Sequence, residues 1–157
     1  MENEGKYNSV TVAKLIVAYA NRHGFPINMT KVQKLLYIAY GVYLAVNGSR
    51  LTDEHPQAWP YGPVFPTTRN KLLKTDMYAI KYGDKELDGI SADGDIGMLL
   101  DSVFRTFGSW SASRLTEWSH GDGSPWENTV AQEGFVWGWQ IPDDRIKSYF
   151  ENIVVGK

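Results

Sequence analysis

Val12, Leu15, Ile16 and Tyr19 recur at i, i+3, i+4 and i+7, the spacing that lays one apolar stripe along an α-helix. Ser9 ahead of the stripe is a suitable N-cap and Gly24 behind it a suitable stop, which predicts an amphipathic helix over 10–22. An extended connector, Phe25-Pro26-Ile27, follows, and Asn28 or Thr30 can cap a second helix. Val32, Leu35, Leu36, Ala39, Val42, Tyr43 and Val46 form one face of it, and Tyr37, Ile38, Tyr40 and Leu44 form another. A helix apolar on two sides belongs at the centre of its domain. Asn47-Gly48 ends it, and the short loop between the two helices predicts antiparallel packing.

The pattern changes over 49–66. Pro56, Pro60, Pro63 and Pro66 interrupt a stretch that holds Ala58, Trp59, Tyr61, Val64 and Phe65. That many prolines exclude a helix and a central strand, so an ordered aromatic and proline-bearing loop is expected, with a short extended piece at most. Gly62 between Tyr61 and Pro63 marks a tight turn. Thr67 or Thr68 is the expected cap of a helix over 68–74. Over 77–91, Tyr78, Ile80 and Tyr82 alternate, Gly83-Asp84 turns, and Leu87 to Ile90 is again extended, so a short β-hairpin is one expectation there.

The helical signal then returns. Asp93 or Asp95 opens a stripe of Ile96, Leu99, Leu100, Val103, Phe104 and Phe107, closed by Gly108. Ser109 or Ser111 can cap a helix over 112–119, and Ser124-Pro125-Trp126-Glu127 places serine, proline and an acid in the order a helix start favours. Gly134 to Gly138 carries no regular pattern that predicts order. Pro142-Asp143-Asp144 opens a last helix with Ile146, Tyr149, Phe150 and Ile153 inward. The whole reads as mainly α: a single compact multi-helix domain over 10–154, preceded by a flexible N-terminus over 1–9.

Composition narrows the chemistry. With no cysteine there is no disulfide, thiolate metal site or cysteine nucleophile. A net charge of −2 argues against direct nucleic-acid binding, which draws on a basic face. The apolar run Leu35 to Val46 is about a dozen residues against the roughly 20 of a membrane span, and Met1-Glu-Asn-Glu is the wrong start for a signal peptide. A cytoplasmic protein without a membrane partner is the expectation.

No nucleotide-loop, dinucleotide, nucleophile-elbow or zinc-protease motif occurs, and His23, His55 and His120 lie in separate segments without metal-ligand spacing. No catalytic, cofactor or metal residue is therefore expected. His120-Gly121-Asp122 is the one pair that suggests chemistry, since a carboxylate can orient an imidazole; a small hydrolase or transferase built on His120 and Asp122 is the enzymatic alternative. The structural reading ends the 112–119 helix at His120, where the charged ring meets the helix dipole. Lys31 and Lys34 around Gln33 read as a solvated face, and Asp53-Glu54 as solvated charges or a helix start. The six tryptophans, Trp59, Trp110, Trp118, Trp126, Trp137 and Trp139, are more telling. Most should pack in the core, yet the set points to an aromatic surface that binds a protein. Trp59, Tyr61 and Trp126, with the turn residues Gly62 and Pro63, are the candidate partner-binding residues, although Trp59 alone is better read as packing its own loop.

Four blocks carry a family resemblance. Lys31-Val-Gln-Lys-Leu-Leu-Tyr37 resembles the opening motif of the Panacea domain, the SocA-like antitoxin domain, earlier known as a phage-associated protein family. Ala58-Trp-Pro-Tyr-Gly-Pro-Val64 resembles its most distinctive segment. Leu115-Thr-Glu-Trp-Ser-His120 with Pro125-Trp126 resembles its third block, and Ile141 to Phe150 its closing helix. The third block departs from the family pattern, because Thr116 and His120 are separated by Glu117, Trp118 and Ser119. The resemblance implies an antitoxin of a bacterial or phage toxin–antitoxin pair that neutralises a cognate protein toxin by direct binding, without a cofactor. The alternative it implies is a proteolytic adaptor that delivers the toxin to a protease such as ClpXP.

Overall fold

The doubly apolar stretch forms α2, Met29–Asn47, and the other elements wrap it. In the computed structural model, which describes residues 5–84, 87 and 94–155, α2 packs against α1 (Ser9–His23), α3 (Pro66–Leu72), α4 (Asp95–Phe107), α5 (Ala112–Ser119) and α7 (Asp143–Val155). Val32, Leu35, Leu36, Ile38, Ala39 and Tyr40 on α2 are fully buried. Its closest neighbour is α7: a Cβ on Gly41 would lie 2.3 Å from the Phe150 ring, so only glycine lets the two helices approach this far. Tyr40 Oη donates to Asp143 Oδ1 at 2.6 Å and Arg50 Nε to Asp143 Oδ2 at 2.7 Å, fixing the start of α7 against α2. Among the described residues no helix is long and apolar enough to cross a membrane.

Several local signals act as their sequence suggests. Asn28, Ser111 and Ser124 cap α2, α5 and α6 (Pro125–Val130) through their side chains, and Gly24 and Gly48 end α1 and α2 in the left-handed region. Others are displaced. Asn8, not Ser9, caps α1: its Oδ1 accepts from the Val10 and Thr11 amides. Ser9 is buried inside the helix, and its hydroxyl donates to Glu54 Oε1 at 2.9 Å. Glu54 also accepts the Thr67 and Thr68 amides, so α3 is capped from outside itself, and neither threonine is the expected cap. Pro66 at the first turn brings no amide of its own, and an acidic group suits the dipole there. Asp53 Oδ1 accepts the Ser9 amide at 2.9 Å. Asp53-Glu54 thus serves helix starts, those of α1 and α3, although neither begins at the pair itself and Asp53 stays exposed. The chain before α1 is pinned as well: Lys6 and Tyr7 donate to the carbonyls of Arg50 and Leu51, and the Asp53 amide to Tyr7 O. Residues 1–4 of the expected flexible terminus lie outside the described residues.

The β-hairpin forms in the proline-bearing stretch. β1, Gln57–Trp59, pairs antiparallel with β2, Gly62–Val64, in the register Gln57↔Val64, Ala58↔Pro63 and Trp59↔Gly62. Pro63 is tolerated because β2 is an edge strand, where a missing amide breaks no ladder on its outer side. The other side of β1 is taken by residues 138–140: the Ala58 amide donates to Trp139 O and the Gly138 amide to Ala58 O. No hairpin begins at residue 77. Met77–Ala79 is a 3₁₀ turn, Ile80 is buried, and the expected second limb lies outside the described residues except Leu87. The alternation of Tyr78, Ile80 and Tyr82 reflects one inward side chain in a turn, since Tyr78 is 78% exposed.

Two substitutions test this arrangement by chemical denaturation. Glu54→Ala removes the shared cap and should lower stability by about 2 kcal/mol, with Glu54→Gln costing less. Gly41→Ala forces a methyl into the Phe150 ring and should cost about 1–3 kcal/mol.

Candidate functional site

Three segments far apart in the chain meet beneath the hairpin turn. Lys34 arrives from α2, Gly62 and Pro63 from the turn into β2, and Ser119 and His120 from the end of α5. A Cβ on Gly62 would lie 2.8 Å from Ser119 Oγ, 3.0 Å from Lys34 Cε and 3.3 Å from His120 Nε2. Its φ of 111° also lies where side-chain-bearing residues are strained, so both the turn and the close approach require glycine. Lys34 is 2% exposed, and its amine reaches Pro63 O at 3.5 Å, the outer limit of a hydrogen bond.

The rest of the lysine-bearing run on α2 is buried too. Lys31 Nζ donates to Gly108 O at 2.6 Å, closing the end of α4. Gln33 Oε1 accepts the Phe65 amide at 2.7 Å, standing in for a strand neighbour at the end of β2. The solvated face expected for Lys31, Gln33 and Lys34 is therefore an inward one, with each polar head on a backbone group of a later segment.

His120 ends α5, as its spacing suggests, but as a neutral ring. Its imidazole stacks on Trp126 at 4.0 Å between centroids, with 16° between planes. Burial lowers its pKa below the ordinary value, the Lys34 charge lowers it further, and the Tyr61 backbone acts in the opposite sense. The imidazolium expected on the helix dipole is replaced by an uncharged ring whose Nε2 is buried without a hydrogen-bond partner. Burial alone pushes the Lys34 amine down to about 8, so it remains largely charged at neutral pH. Asp122 is exposed, and among the described residues it makes no hydrogen bond to His120, so the expected imidazole–carboxylate pair is not assembled. His23 stacks near Tyr19 and His55 sits beside Asp143, both away from this junction; no described group of three or more acidic or histidine side chains could hold a metal.

Above the junction lies an aromatic surface. Trp126 Nε1 donates to Trp59 O at 2.8 Å, and Trp59 Nε1 to Gln57 Oε1 at 3.0 Å, which locks α6 to β1. Trp126 lies 6.4 Å from Trp137, and Phe135 lies 5.0 Å from Trp137 and 5.8 Å from Trp139. Tyr61 is 71% exposed, Val136 60% and Trp137 52%. The structure thus gathers Trp59, Tyr61 and Trp126 in one region, with Trp59 and Trp126 half-buried. Gly62 and Pro63 are buried beneath it; they shape the turn and offer no surface. Trp110 and Trp118 belong elsewhere, packed on Phe107. Sequence reasoning counted Trp137 and Trp139 in the tryptophan set but did not single them out, nor Phe135 and Val136 beside them, and it missed Lys34 as a buried residue. A signal existed for the first group: aromatics at 135, 137 and 139 alternate with period two, as in a strand, and this segment does bridge β1.

The histidine can be checked by titration. Its folded-state pKa is depressed, so the unfolded chain protonates first as pH falls. Its contribution to stability is full above the unfolded value near 6.5 and declines as pH drops through the folded value. His55 is lowered in the same sense, so the informative quantity is a difference. The denaturation midpoint of His120→Gln should fall less steeply than that of the parent between pH 7 and 5.

Comparison with known proteins follows the same residues. The model of the family described as antitoxin SocA-like, Panacea domain, matches residues 32–127, a span that contains Lys34, the hairpin, His120 and Trp126. Antitoxin SocA of Caulobacter vibrioides is 32% identical over 153 residues, covering 88% of this chain and 80% of that protein. No solved structure gives a significant match. The segments that converge on the buried junction are the segments in which the family match lies, and the chain belongs to the SocA-like Panacea antitoxin domain family.

Proposed function

We propose that the chain is an antitoxin that neutralises a protein toxin by binding it directly through the aromatic surface formed by Tyr61, Trp126 and residues 135–139. The observation that carries this reading is the exposure of Tyr61 and Trp137 on a rigid base. Tyr61 sits at the tip of a hairpin whose other face is bonded to residues 138–140, and Trp137 rests against Trp126 and Phe135. Large aromatics left in water lose the free energy their burial would supply, whereas on a preorganised patch they are the side chains that most often dominate binding. A standard interface of about 1,600 Å² would cover this patch and its polar rim. Membership of an antitoxin family supports a toxin as the partner. In this reading the chain acts by complementary fit, and no bond is made or broken by its own side chains.

Co-expression with a candidate toxin, and measurement of the complex, tests this. Tyr61→Ala and Trp137→Ala should each weaken the complex by about 2 kcal/mol, about 30-fold, while leaving thermal stability nearly unchanged. Retention of full affinity in both variants overturns the reading. Asp122→Asn should leave neutralisation intact; its loss in a complex that still forms would favour the enzymatic alternative. A toxin whose half-life shortens only when both the antitoxin and a cellular protease are present would mark a proteolytic adaptor.

A further inference from the structure

Lys34 and His120 are an unusual pair to bury together. Lys34 carries a charge at neutral pH inside a buried junction, and among the described residues no carboxylate reaches it. An ammonium removed from water without a counter-ion is costly, and a 3.5 Å contact to one carbonyl offsets little of that cost. Beside it, His120 Nε2 is buried without a well-formed hydrogen bond, and the nearby Tyr61 backbone favours the protonated ring. Lys34 Cε and His120 Nε2 come from different elements and would both lie within 3.3 Å of a Cβ on Gly62, together with Ser119 Oγ. Ser119 itself is satisfied, because its hydroxyl donates to Thr116 O at 2.8 Å. The unmet capacity therefore belongs to Lys34 and His120.

We propose that Lys34 and His120 form the receptor for a single carboxylate, an aspartate or glutamate side chain presented by the protein partner. This rests on the binding surface of the previous section and names the partner's chemistry at its centre. The acidic side chain takes the place of the Pro63 carbonyl on the Lys34 amine, with a shift of the Gly62–Pro63 backbone beneath Tyr61. One carboxylate oxygen then accepts from Lys34 in a charge-assisted bond, shorter and stronger than the contact it replaces. The second oxygen faces His120 Nε2, which gains a proton in the presence of the anion. Over the junction the turn has only Gly62, which carries no side chain, while Pro60 and Tyr61 are exposed. The junction lies beneath aromatic surface, with Trp126 stacked on His120, so a partner seated on that surface would seal the ion pair from water, where it is strongest. A side chain projecting from a covering surface can reach this position. The chain's own net charge of −2 would not draw an acidic partner from afar, so the recognition is local.

Acetate is the probe for the junction alone. In the full chain at pH 7, sodium acetate should produce saturating nitrogen-15 shifts at the His120 ring and the Gly62 amide. Sodium chloride at equal ionic strength should not, and neither salt should do so in Lys34→Met. Identical acetate and chloride titrations overturn the proposal. The second arm uses the toxin complex. Removing an unpaired buried ammonium should leave free Lys34→Met as stable as the parent or more so, yet lower toxin affinity by at least about tenfold. A parallel loss of stability and affinity would make Lys34 a structural strut and would also overturn it. Tyr61→Ala and Trp137→Ala report on the surface, and acetate on the junction, so the two readings fail separately.

Discussion

A helix buried on every side leaves its polar side chains no water, and the architecture follows from how α2 meets that constraint. Lys31, Gln33 and Lys34 cannot be solvated where they stand, so each takes a backbone group from a segment that comes later in the chain. Gln33 holds the end of β2 as a neighbouring strand would. Lys31 closes α4 by accepting the role of a C-terminal cation, a favourable place for positive charge. Lys34 reaches the hairpin turn. The Gln33 and Lys31 contacts fix the end of β2 and the α4–α5 connection against α2. The apolar faces of α2 could by themselves be covered in many ways; the buried polar heads select one of them.

The same logic operates at a second point. Glu54 serves two helices that are distant in sequence, receiving the Ser9 hydroxyl from α1 and two amides at the start of α3. With Asp53 on the Ser9 amide, the loop after α2 becomes a capping device for elements on both sides of it. The segment carrying these two acids leads directly into β1. Correct capping of α1 and α3 and correct placement of the hairpin are therefore parts of one event.

The tryptophans divide by environment. Trp110 and Trp118 extend the helical core around Phe107, and Trp118 also meets Phe150. Trp59, Trp126, Trp137 and Trp139 line the hairpin side, partly buried at their bases and open at their edges. The division decides which aromatics can serve a partner. It also explains why the buried junction and the exposed patch are adjacent: the Trp126 ring is shared, stacked on His120 and 6.4 Å from Trp137.

What was legible in the sequence were features fixed by a few neighbouring residues. The stripes of α1, α2, α4 and α7, the caps at Asn28, Ser111 and Ser124, and the stops at Gly24 and Gly48 depend on local spacing, and they form where that spacing puts them. The mainly α class follows from these. The grouping of Trp59, Tyr61 and Trp126 is not local in this sense: it needs the hairpin and the Trp126 indole donating to the Trp59 carbonyl 67 residues away. Tertiary structure decided the rest. Strand pairing is non-local, so the hairpin formed among prolines at 57–64 where β1 found a second neighbour in 138–140, and not at residue 77. Capping by Glu54, burial of Lys31 and Lys34, and the neutral state of His120 all depend on which distant backbone or side chain arrives beside each group. A charged residue reads as solvated in one dimension; whether water can reach it is settled only when the chain closes over it.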